Sequence, residues 1–382
     1  MSHTSVSDKT KLRLWVAAGG RCQYPGCNKP LYRDDLTLAD MNRSNIAHII
    51  ADSPNGPRGD AILSEQLASD FSNLMLMCYD HHHLIDHDGL ADHPVDALRA
   101  MKAEHERRIE TVTGIQSDRK TDVLIYTVRI RDYYPRVTFA EASTAVLSNQ
   151  RFPASPYPIE LGRNNSQEID SQENFWLQED QHLQAIVRER ILPPHTRGDL
   201  KDPSIFAIAP QPLLILLGHL IRDISAADVY QRHREPPGWV WQDHPEGFEY
   251  SIKRPTATKG TPVLVLALSA AVSDDRILTQ IGDDAVIWRI TIPKPNNDYL
   301  KSIRQLQQFR ELIRPLFDEI KDYYPSGTML NVFPVAPVSV CVELGRTVQP
   351  KAHMPLRLWD ENKDLGGFIH ALDINMPNGG NL

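Results

Sequence analysis

Two stretches of the sequence repeat one pattern. The first is Ile205-Phe-Ala-Ile-Ala-Pro-Gln-Pro-Leu-Leu-Ile-Leu-Leu-Gly-His219, and the second is Val332-Phe-Pro-Val-Ala-Pro-Val-Ser-Val-Cys-Val-Glu-Leu-Gly-Arg346. In each copy an Ala-Pro pair ends an apolar, strand-like run, and a glycine follows the proline by eight residues. A repeat of this kind indicates two related structural units. We therefore expect residues 123–382 to form one domain of two halves, at about 123–258 and 259–382.

The sequence around the repeat alternates between strand and helix patterns. Residues 123–130 and 261–268 are rich in Val, Ile and Leu, as buried strands are, whereas residues 300–324 place apolar side chains at helical spacing. Strands that alternate with helices favour a parallel sheet covered by helices. The predicted fold of this region is therefore α/β, in two related halves.

The first 115 residues differ from the rest in composition. Three of the four cysteines and eight of the fifteen histidines lie before residue 106. A helix is predicted after Pro94, because apolar and aromatic side chains recur on one face at Leu98, Met101, His105 and Ile109. Residues 116–122 are polar and predict a linker. We therefore expect an independent domain at residues 1–115.

Composition excludes several classes of protein. The chain has 382 residues, of which 41% are hydrophobic and 24% charged, and its net charge is −8. It is too apolar for a disordered protein and too acidic for a basic nucleic-acid coat. No apolar run is long enough to span a bilayer, and the first residues lack the apolar core of a secretory signal. With only four cysteines, the chain is predicted to be a cytoplasmic protein without membrane contact.

Four residues of the first domain have the chemistry and spacing of a zinc site. Cys22 and Cys27 form one pair, and Cys78 and His81 form a second pair further along the chain. Thiolates and imidazole are the usual ligands of tetrahedral structural Zn²⁺. We predict a structural zinc ion here, with a metal-free thiol cluster as the alternative.

A second set of residues lies between and beside these cysteines. His48 is in the run Ala47-His-Ile, Asn73 precedes Leu74 and the second cysteine pair, and His82 follows the predicted zinc ligand. Together with the cysteine pairs, residues 12–90 resemble the HNH (ββα-metal) endonucleases. The resemblance implies catalytic roles for His48, Asn73 and His82: His48 as general base, His82 as a ligand of catalytic Mg²⁺, and Asn73 orienting His48 or the metal shell.

One position departs from the HNH pattern. Many HNH sites have an acidic metal ligand directly before the first histidine, where this chain has Ala47. Water, phosphate, Asp70 or Asp86 would then complete the metal shell, and the sequence does not choose among them. Arg58, in the Gly- and Pro-rich loop after His48, is a candidate DNA phosphate contact, with an ordinary surface loop as the alternative.

The C-terminal region resembles a second family. It is similar to SAVED domains in the repeated Ala-Pro and Gly pattern, in Glu343-Leu-Gly-Arg346 and in Trp239-Val-Trp241. SAVED domains consist of two fused CARF-like, Rossmann-type halves. They bind cyclic di- or oligonucleotides. An HNH domain followed by a SAVED domain resembles the effector nucleases of cyclic-oligonucleotide-based anti-phage systems (CBASS). Phosphates need cations and bases need flat surfaces. The candidate ligand contacts are therefore Trp176, Pro210, Gln211, Tyr250, Lys253, Arg254 and Lys259.

These resemblances imply a cytosolic endonuclease that a cyclic nucleotide activates to degrade double-stranded DNA with little sequence specificity. Residues 1–115 contain 12 Lys and Arg against 16 Asp and Glu, a net charge of −4, so a single copy should bind DNA weakly. Ligand-induced homo-oligomerisation would supply the missing avidity. Two alternatives stay open: a ligand-independent nuclease of the restriction type, and a non-catalytic zinc or DNA-binding module. The identity of the cyclic nucleotide and the oligomer number are not encoded in any pattern we recognise.

Overall fold

The structure is a computed structural model, and it describes residues 5–34, 36–116, 118–163, 168–172, 174–224, 226–350, 352–362 and 365–374. The chain divides into two compact units at residue 116. Each unit has its own hydrophobic cores, and each is described separately below. Within the described residues, no helix combines the length and the hydropathy that a membrane span requires.

The N-terminal unit consists of short strands and helices around one small core. In chain order they are α1 (Asp8–Ala17), β1 (Asn45–His48), α2 (Leu63–Leu67), β2 (Leu74–Met77), α3 (Tyr79–His83), a π-helical turn (Leu84–Asp88) and α4 (Val95–Gly114). β1 and β2 are antiparallel, and His48 lies opposite Leu74. All four residues of β2 are buried, as expected for a strand that is covered on both faces.

The predicted helix after Pro94 is confirmed as α4. Pro94 is its N-cap, and Leu98 and His105 are buried on the face that the spacing predicted. The ring of His105 donates from Nε2 to the carbonyl of Ala18, 2.9 Å away, which ties α4 to the end of α1. This histidine is therefore a structural residue of the core.

The first half of the C-terminal unit contains a small parallel sheet. Its described elements are β3 (Lys120–Thr121), β4 (Val123–Thr127), α5 (Phe139–Ser148), β5 (Phe152–Pro153), β6 (Ile159–Glu160), α6 (Phe175–Arg190), α7 (Leu192–Arg197), β7 (Ser204–Ile208), α8 (Gln211–Leu220) and β8 (Asp228–Val229). The strand order is β6-β4-β7-β8, and all of these pairings are parallel.

The second half has a larger sheet. Its elements are β9 (His233–Arg234), β10 (Pro237–Gly238), β11 (Ser251–Lys253), β12 (Thr261–Ala267), α9 (Asp274–Ile281), β13 (Ala285–Thr291), α10 (Ile303–Lys321), β14 (Leu330–Val335), α11 (Val338–Thr347), β15 (Leu356–Asn362) and β16 (Gly367–Ile374). The strand order is β11-β13-β12-β14-β15-β16. The four central strands are parallel, and the edge strands β11 and β16 are antiparallel to their neighbours.

The two halves share one topology. In the first half β6 lies on one side of β4, and β7 and β8 follow on the other side. In the second half β13 lies on one side of β12, and β14 and β15 follow on the other side. The predicted α/β architecture with parallel strands is therefore confirmed. The predicted buried strands are β4 and β12, and the predicted long helix is α10.

The sequence repeat corresponds to the equivalent units β7-α8 and β14-α11, whose helices pack on each other. A Cβ placed at Gly218 would lie 2.0 Å from the carbonyl oxygen of Val342, and one at Gly345 would lie 1.9 Å from that of Ile215. Only glycine permits this approach of two backbones. The repeated glycine therefore marks the helix crossing that joins the halves.

Two predicted boundaries differ from the structure. Lys120–Thr121, inside the predicted linker 116–122, form the short strand β3, which pairs with β5; residue 117 lies outside the described residues. β11 pairs with β13 of the second sheet, although it lies before the boundary we predicted at residue 258. Local composition did not reveal either pairing, because each strand is only two or three residues long.

Candidate functional site

Four potential metal ligands meet in the N-terminal unit. The donor atoms of Cys22, Cys27, Cys78 and His81 all lie within 4.8 Å of one another. The Nδ1 atom of His81 is 3.2 Å from Sγ of Cys78 and 3.8 Å from Sγ of Cys22. In a tetrahedral zinc site such atoms are about 3.5 to 3.8 Å apart. The donor set and its spacing therefore fit a structural Zn²⁺ ion.

Local structure explains how each pair comes together. Cys22 and Cys27 flank a tight loop, in which Gly26 adopts φ +79° and the amide of Cys27 donates to the carbonyl of Tyr24. Cys78 is the N-cap of α3, and His81 lies in the first turn of that helix. The ring of Tyr24 stacks on His81 with centroids 4.1 Å apart. This contact fixes the plane of the imidazole, as neighbouring side chains commonly do for the ligands of a metal ion.

The protonation preferences of these groups depend on a cation. Burial raises the pKa of the Cys22 thiol to about 12, and backbone hydrogen bonds from Cys78 and Tyr24 only partly oppose this shift. Burial also lowers the pKa of His81, which favours the neutral imidazole that binds metal. A divalent cation would stabilise the deprotonated thiol instead.

His48 lies at the end of β1, and its ring is held in one orientation. Nε2 is 2.8 Å from the backbone oxygen of Ala68. A carbonyl only accepts, so Nε2 carries the proton and Nδ1 of the neutral ring has a free lone pair. Among the described residues Nδ1 has no hydrogen-bond partner. The arrangement leaves one imidazole nitrogen available to accept a proton.

Asn73 is buried and fixes the backbone that follows His48. Its Oδ1 accepts from the amide of Ile50 at 2.9 Å, and its Nδ2 donates to the carbonyls of Ile50 and Leu67 at 2.8 and 3.2 Å. The amide therefore ties the end of β1 to the end of α2. It acts on the backbone that follows His48, and within the described part of the chain it makes no hydrogen bond to the His48 ring.

His82 is half-exposed and pairs with Asp86 one turn later. Nε2 of His82 lies 3.2 Å from Oδ2 of Asp86. Burial opposes ionisation of Asp86, but hydrogen bonds from His82 and Arg58 outweigh it and lower the pKa of that carboxyl. The Asp86 carboxylate accepts a hydrogen bond from Nε2 of His82. Nδ1 is therefore the ring nitrogen of His82 that could bind a metal ion.

Two further positions were considered for the metal site. Ala47 offers no ligand atom and is fully buried in the core. Oδ1 of Asp70 accepts from the amide and the hydroxyl of Ser72 at 2.8 and 2.5 Å. Apart from the zinc set, the described residues contain no second group of three donors. The described residues around His82 therefore do not form a closed metal site like the Cys3His set.

The prediction for Arg58 is wrong. Its side chain is only 7% exposed, and its guanidinium is bound by backbone carbonyls and by Asp86. Four of its five N–H donors are used inside the protein, so this buried guanidinium is not placed to meet a DNA phosphate.

Two predicted aromatic contacts of the C-terminal unit are also wrong. Trp176 is 7% exposed and packs edge-on against Phe175 inside the core. Tyr250 packs among Phe248, Tyr299 and Phe309, and its hydroxyl lies 3.3 Å from that of Tyr299. The buried ring of Trp176 offers no face to a nucleobase, and the partly buried ring of Tyr250 is already held by aromatic neighbours.

The predicted cations lie at different places on the second sheet. Lys259 precedes the first residues of β12, at the amino edge. β11 runs antiparallel to β13, and Lys253 lies opposite Arg289, two residues before the end of β13 at the carboxyl edge. Arg254 follows Lys253 away from that edge and forms a two-point ion pair with Glu319 at 2.7 and 2.8 Å. Ligands of open α/β sheets bind at the carboxyl edge, so Lys259 lies at the opposite edge and Arg254 is already paired.

Pro210 and Gln211 are predicted ligand residues that lie at the carboxyl edge. Pro210 is the N-cap of α8, directly after β7. Nε2 of Gln211 donates to the carbonyl of Ala336 at the end of β14, 2.8 Å away. Gln211 therefore links the carboxyl ends of equivalent strands in the two halves.

A loop at this same edge was not among the predicted ligand contacts. Residues 128, 129 and 134–137 follow β4 and line a cavity of about 380 Å³ together with Arg163, Glu160, Glu168 and Glu179. The Arg129 guanidinium lies 4.5 Å from the ring of Tyr134, which is 55% exposed. Arg136 is exposed and has no partner among the described residues. The detectable signal was Arg129-Ile-Arg-Asp-Tyr-Tyr-Pro-Arg136, a cationic and aromatic run directly after a predicted strand.

Comparisons with known proteins agree with the C-terminal fold. The model of the SAVED family, described as SMODS-associated and fused to various effectors sensor domain, matches residues 183–374. Among curated proteins there is no match.

Solved structures of two receptors are similar to this chain. The Acinetobacter baumannii Cap4 SAVED/CARF-domain containing receptor with the cyclic trinucleotide 2'3'3'-cAAA is 13% identical, with a TM-score of 0.42, over 83% of this chain and 67% of that chain. The Moraxella osloensis Cap4 receptor is 9% identical, with a TM-score of 0.38, over 83% and 70%.

Proposed function

The chain belongs to the SAVED family of sensor domains, and from that premise we propose that it is a cytosolic DNA endonuclease switched on by a cyclic oligonucleotide. The enzyme would be an HNH-type effector of anti-phage signalling. The observation that carries the nuclease part is the geometry of His48, whose ring is fixed at Nε2 and free at Nδ1, beside a complete Cys3His set.

In the proposed reaction His48 is the general base. Nδ1 takes a proton from water, which attacks the phosphodiester, and the Ala68 carbonyl stabilises the imidazolium that forms. Asn73 keeps the base in place through the backbone of Ile50.

His82 would hold the catalytic divalent cation through Nδ1, with Asp86 fixing its ring from the other side. A bound Mg²⁺ supplies charge for the phosphate and for the departing oxygen. Because Ala47 offers no ligand, the remaining positions around this cation would be left to water and DNA phosphate. A zinc ion held by the Cys3His set would be structural, because its four protein ligands would leave no open position.

The proposed messenger site is the carboxyl edge of the two sheets in the C-terminal unit. Gln211 and the N-terminal ends of α8 and α11 lie there, and the loop that carries Arg129, Tyr134 and Arg136 lies at the same edge of the first sheet. Guanidinium groups suit phosphates and an exposed tyrosine suits a base, so this loop replaces the cations that we first considered.

Activation would work through assembly. The first 115 residues carry a net charge of −4, so a single unit binds the DNA polyanion weakly. A messenger that brings several chains together supplies avidity on one duplex and allows paired cuts. Without a motif that reads base edges, degradation would be largely independent of sequence.

The variant His48→Ala tests the proposal. It should cut no DNA with Mg²⁺ and messenger present, while its zinc content and its messenger affinity equal those of the unmodified protein. Full cutting by His48→Ala would remove His48 from the mechanism, and loss of messenger binding would contradict separate catalytic and sensor functions.

One observation favours a second candidate, a zinc module without catalysis. Ala47 stands where many HNH enzymes have an acidic ligand, and it is buried. Such a module would bind messenger and zinc but would show no metal-dependent cleavage at any messenger concentration.

A further inference from the structure

Arg58 occupies an unusual position for a charged residue. Its side chain is only 7% exposed, and it lies in the loop between β1 and α2 with φ +55°. A buried guanidinium is costly unless its donors are satisfied. Here Nε donates to the carbonyl of Ile49 at 2.7 Å, and Nη1 donates to that of Ile85 at 2.6 Å.

The remaining nitrogen of Arg58 makes two further contacts. Nη2 donates to the carbonyl of His48 at 3.2 Å and to Oδ1 of Asp86 at 2.6 Å. One planar group therefore binds the last residues of β1 on one side and the turn after α3 on the other. His48 is the last residue of β1, and His82 lies in α3, directly before that turn.

The contact with Asp86 extends to His82. Oδ1 of Asp86 accepts from Arg58, and Oδ2 faces Nε2 of His82 at 3.2 Å. Arg58 thus fixes the carboxylate that fixes the His82 ring. In the other direction it holds the backbone of His48 itself.

From this geometry we propose that Arg58 is a positioning residue that sets the placement of His48 relative to His82. The inference rests on the proposed nuclease function and deepens it. A lysine would keep the charge but presents one nitrogen where the guanidinium presents a rigid fork of donors. Arg58→Lys should therefore fold and yet misplace the two histidines.

The test compares Arg58→Lys with the matched control Arg43→Lys. Arg43 lies in the same unit, is 44% exposed and pairs only with Asp34 at its guanidinium, so its replacement should change nothing. Zinc content, DNA cleavage and binding of Mn²⁺, followed by electron paramagnetic resonance, are measured for each protein. Substitutions beside a metal ligand typically cost about 10- to 100-fold in metal affinity or activity.

We expect Arg58→Lys to retain zinc, to bind Mn²⁺ at least about tenfold more weakly and to cut at least about tenfold more slowly, while Arg43→Lys matches the unmodified protein. Unchanged Mn²⁺ binding and cleavage in Arg58→Lys would overturn the inference. Loss of zinc would assign Arg58 to folding alone and would overturn it too.

The two readouts separate this inference from the proposed function. If the unmodified protein cuts no DNA, the nuclease proposal fails. Mn²⁺ binding then still decides the role of Arg58: weaker binding by Arg58→Lys supports it, and equal binding contradicts it.

Discussion

Single cysteines distinguish the two roles that thiols play in this chain. Cys78 belongs to the Cys3His set, whereas Cys341 is fully buried in the C-terminal core, where burial raises the pKa of its thiol. Cys78→Ser should lower bound zinc from about one ion per chain to near zero, because a closed site loses a thiolate ligand. The N-terminal unit should then unfold at a lower urea concentration.

Metal analysis and urea denaturation check this prediction. Cys341→Ala is the control: it removes a thiol of the same chemistry but should leave the zinc content unchanged. Full zinc retention in Cys78→Ser would show that the four residues do not hold the ion together.

Arg136 and Lys259 test which cations meet the messenger. Arg136 lies at the carboxyl edge of the first sheet, and Lys259 lies at the amino edge of the second. Loss of one charge-assisted hydrogen bond costs about 1.5 to 3 kcal/mol, so Arg136→Ala should weaken messenger binding at least about tenfold. Lys259→Ala should leave it unchanged.

Calorimetric titration with the activating cyclic nucleotide measures both affinities. A larger loss in Lys259→Ala than in Arg136→Ala would restore the sequence-based assignment and reject the loop after β4.

His233 predicts how stability depends on pH. It is buried, both ring nitrogens lack a partner among the described residues, and burial lowers its pKa to about 4. The folded unit therefore prefers the neutral ring, and the unfolded chain binds a proton near pH 6.5. The stabilisation is present above pH 6.5 and is lost as the pH falls towards 4.

Urea denaturation at pH 7.5 and pH 5 checks this sign. His233→Phe keeps a ring against Trp241 but cannot titrate, so its free energy of unfolding should fall less between the two pH values. The charged groups that act on this ring are Lys301, Asp298 and Arg232, and they are unchanged in the variant. An equal fall in both proteins would contradict the assignment.

At the scale of elements, the crossing of α8 and α11 is the most restrictive contact. The Cβ of an alanine at residue 218 would lie 2.0 Å from the oxygen of Val342, so one helix must move. Overpacking of this kind typically costs about 1 to 3 kcal/mol, and we expect Gly218→Ala to destabilise the C-terminal unit by about that amount. Messenger binding should weaken as well, because α8 begins at Gln211.

Gly114→Ala is the control for this prediction, since a Cβ at residue 114 meets nothing within 4 Å. Its free energy of unfolding should stay the same or rise slightly. Urea denaturation that finds no difference between the two variants would show that α8 and α11 do not approach so closely.

The elements also show why part of the structure was predictable. β4, β12 and α10 carry long apolar patterns, and such patterns depend on local spacing alone. Trp176 was misjudged because its polar neighbours conceal that the helical register of α6 turns it into the core. Arg254 was misjudged because its ion-pair partner, Glu319, lies far along the chain.

The same limit applies to the N-terminal site. The zinc set was predictable because each pair is close in sequence. Arg58 was not, because its partners Ile85 and Asp86 lie far along the chain and include backbone carbonyls, which leave no mark in a sequence.

At the scale of the whole molecule, the proposal assigns one function to each of the two units. The C-terminal unit, which contains the SAVED match, would bind the messenger, and the N-terminal unit would cut DNA. Neither unit alone explains the regulation that we propose, so the full chain must be assayed.

The most direct measurement is plasmid cleavage by the purified full chain in Mg²⁺, with and without a panel of cyclic di- and trinucleotides. The account predicts no cutting without a cyclic nucleotide and degradation with one member of the panel. Cutting that needs no cyclic nucleotide would contradict the gated mechanism and favour a restriction-type nuclease. Binding of a panel member without any cutting would contradict the nuclease and favour the zinc module without catalysis.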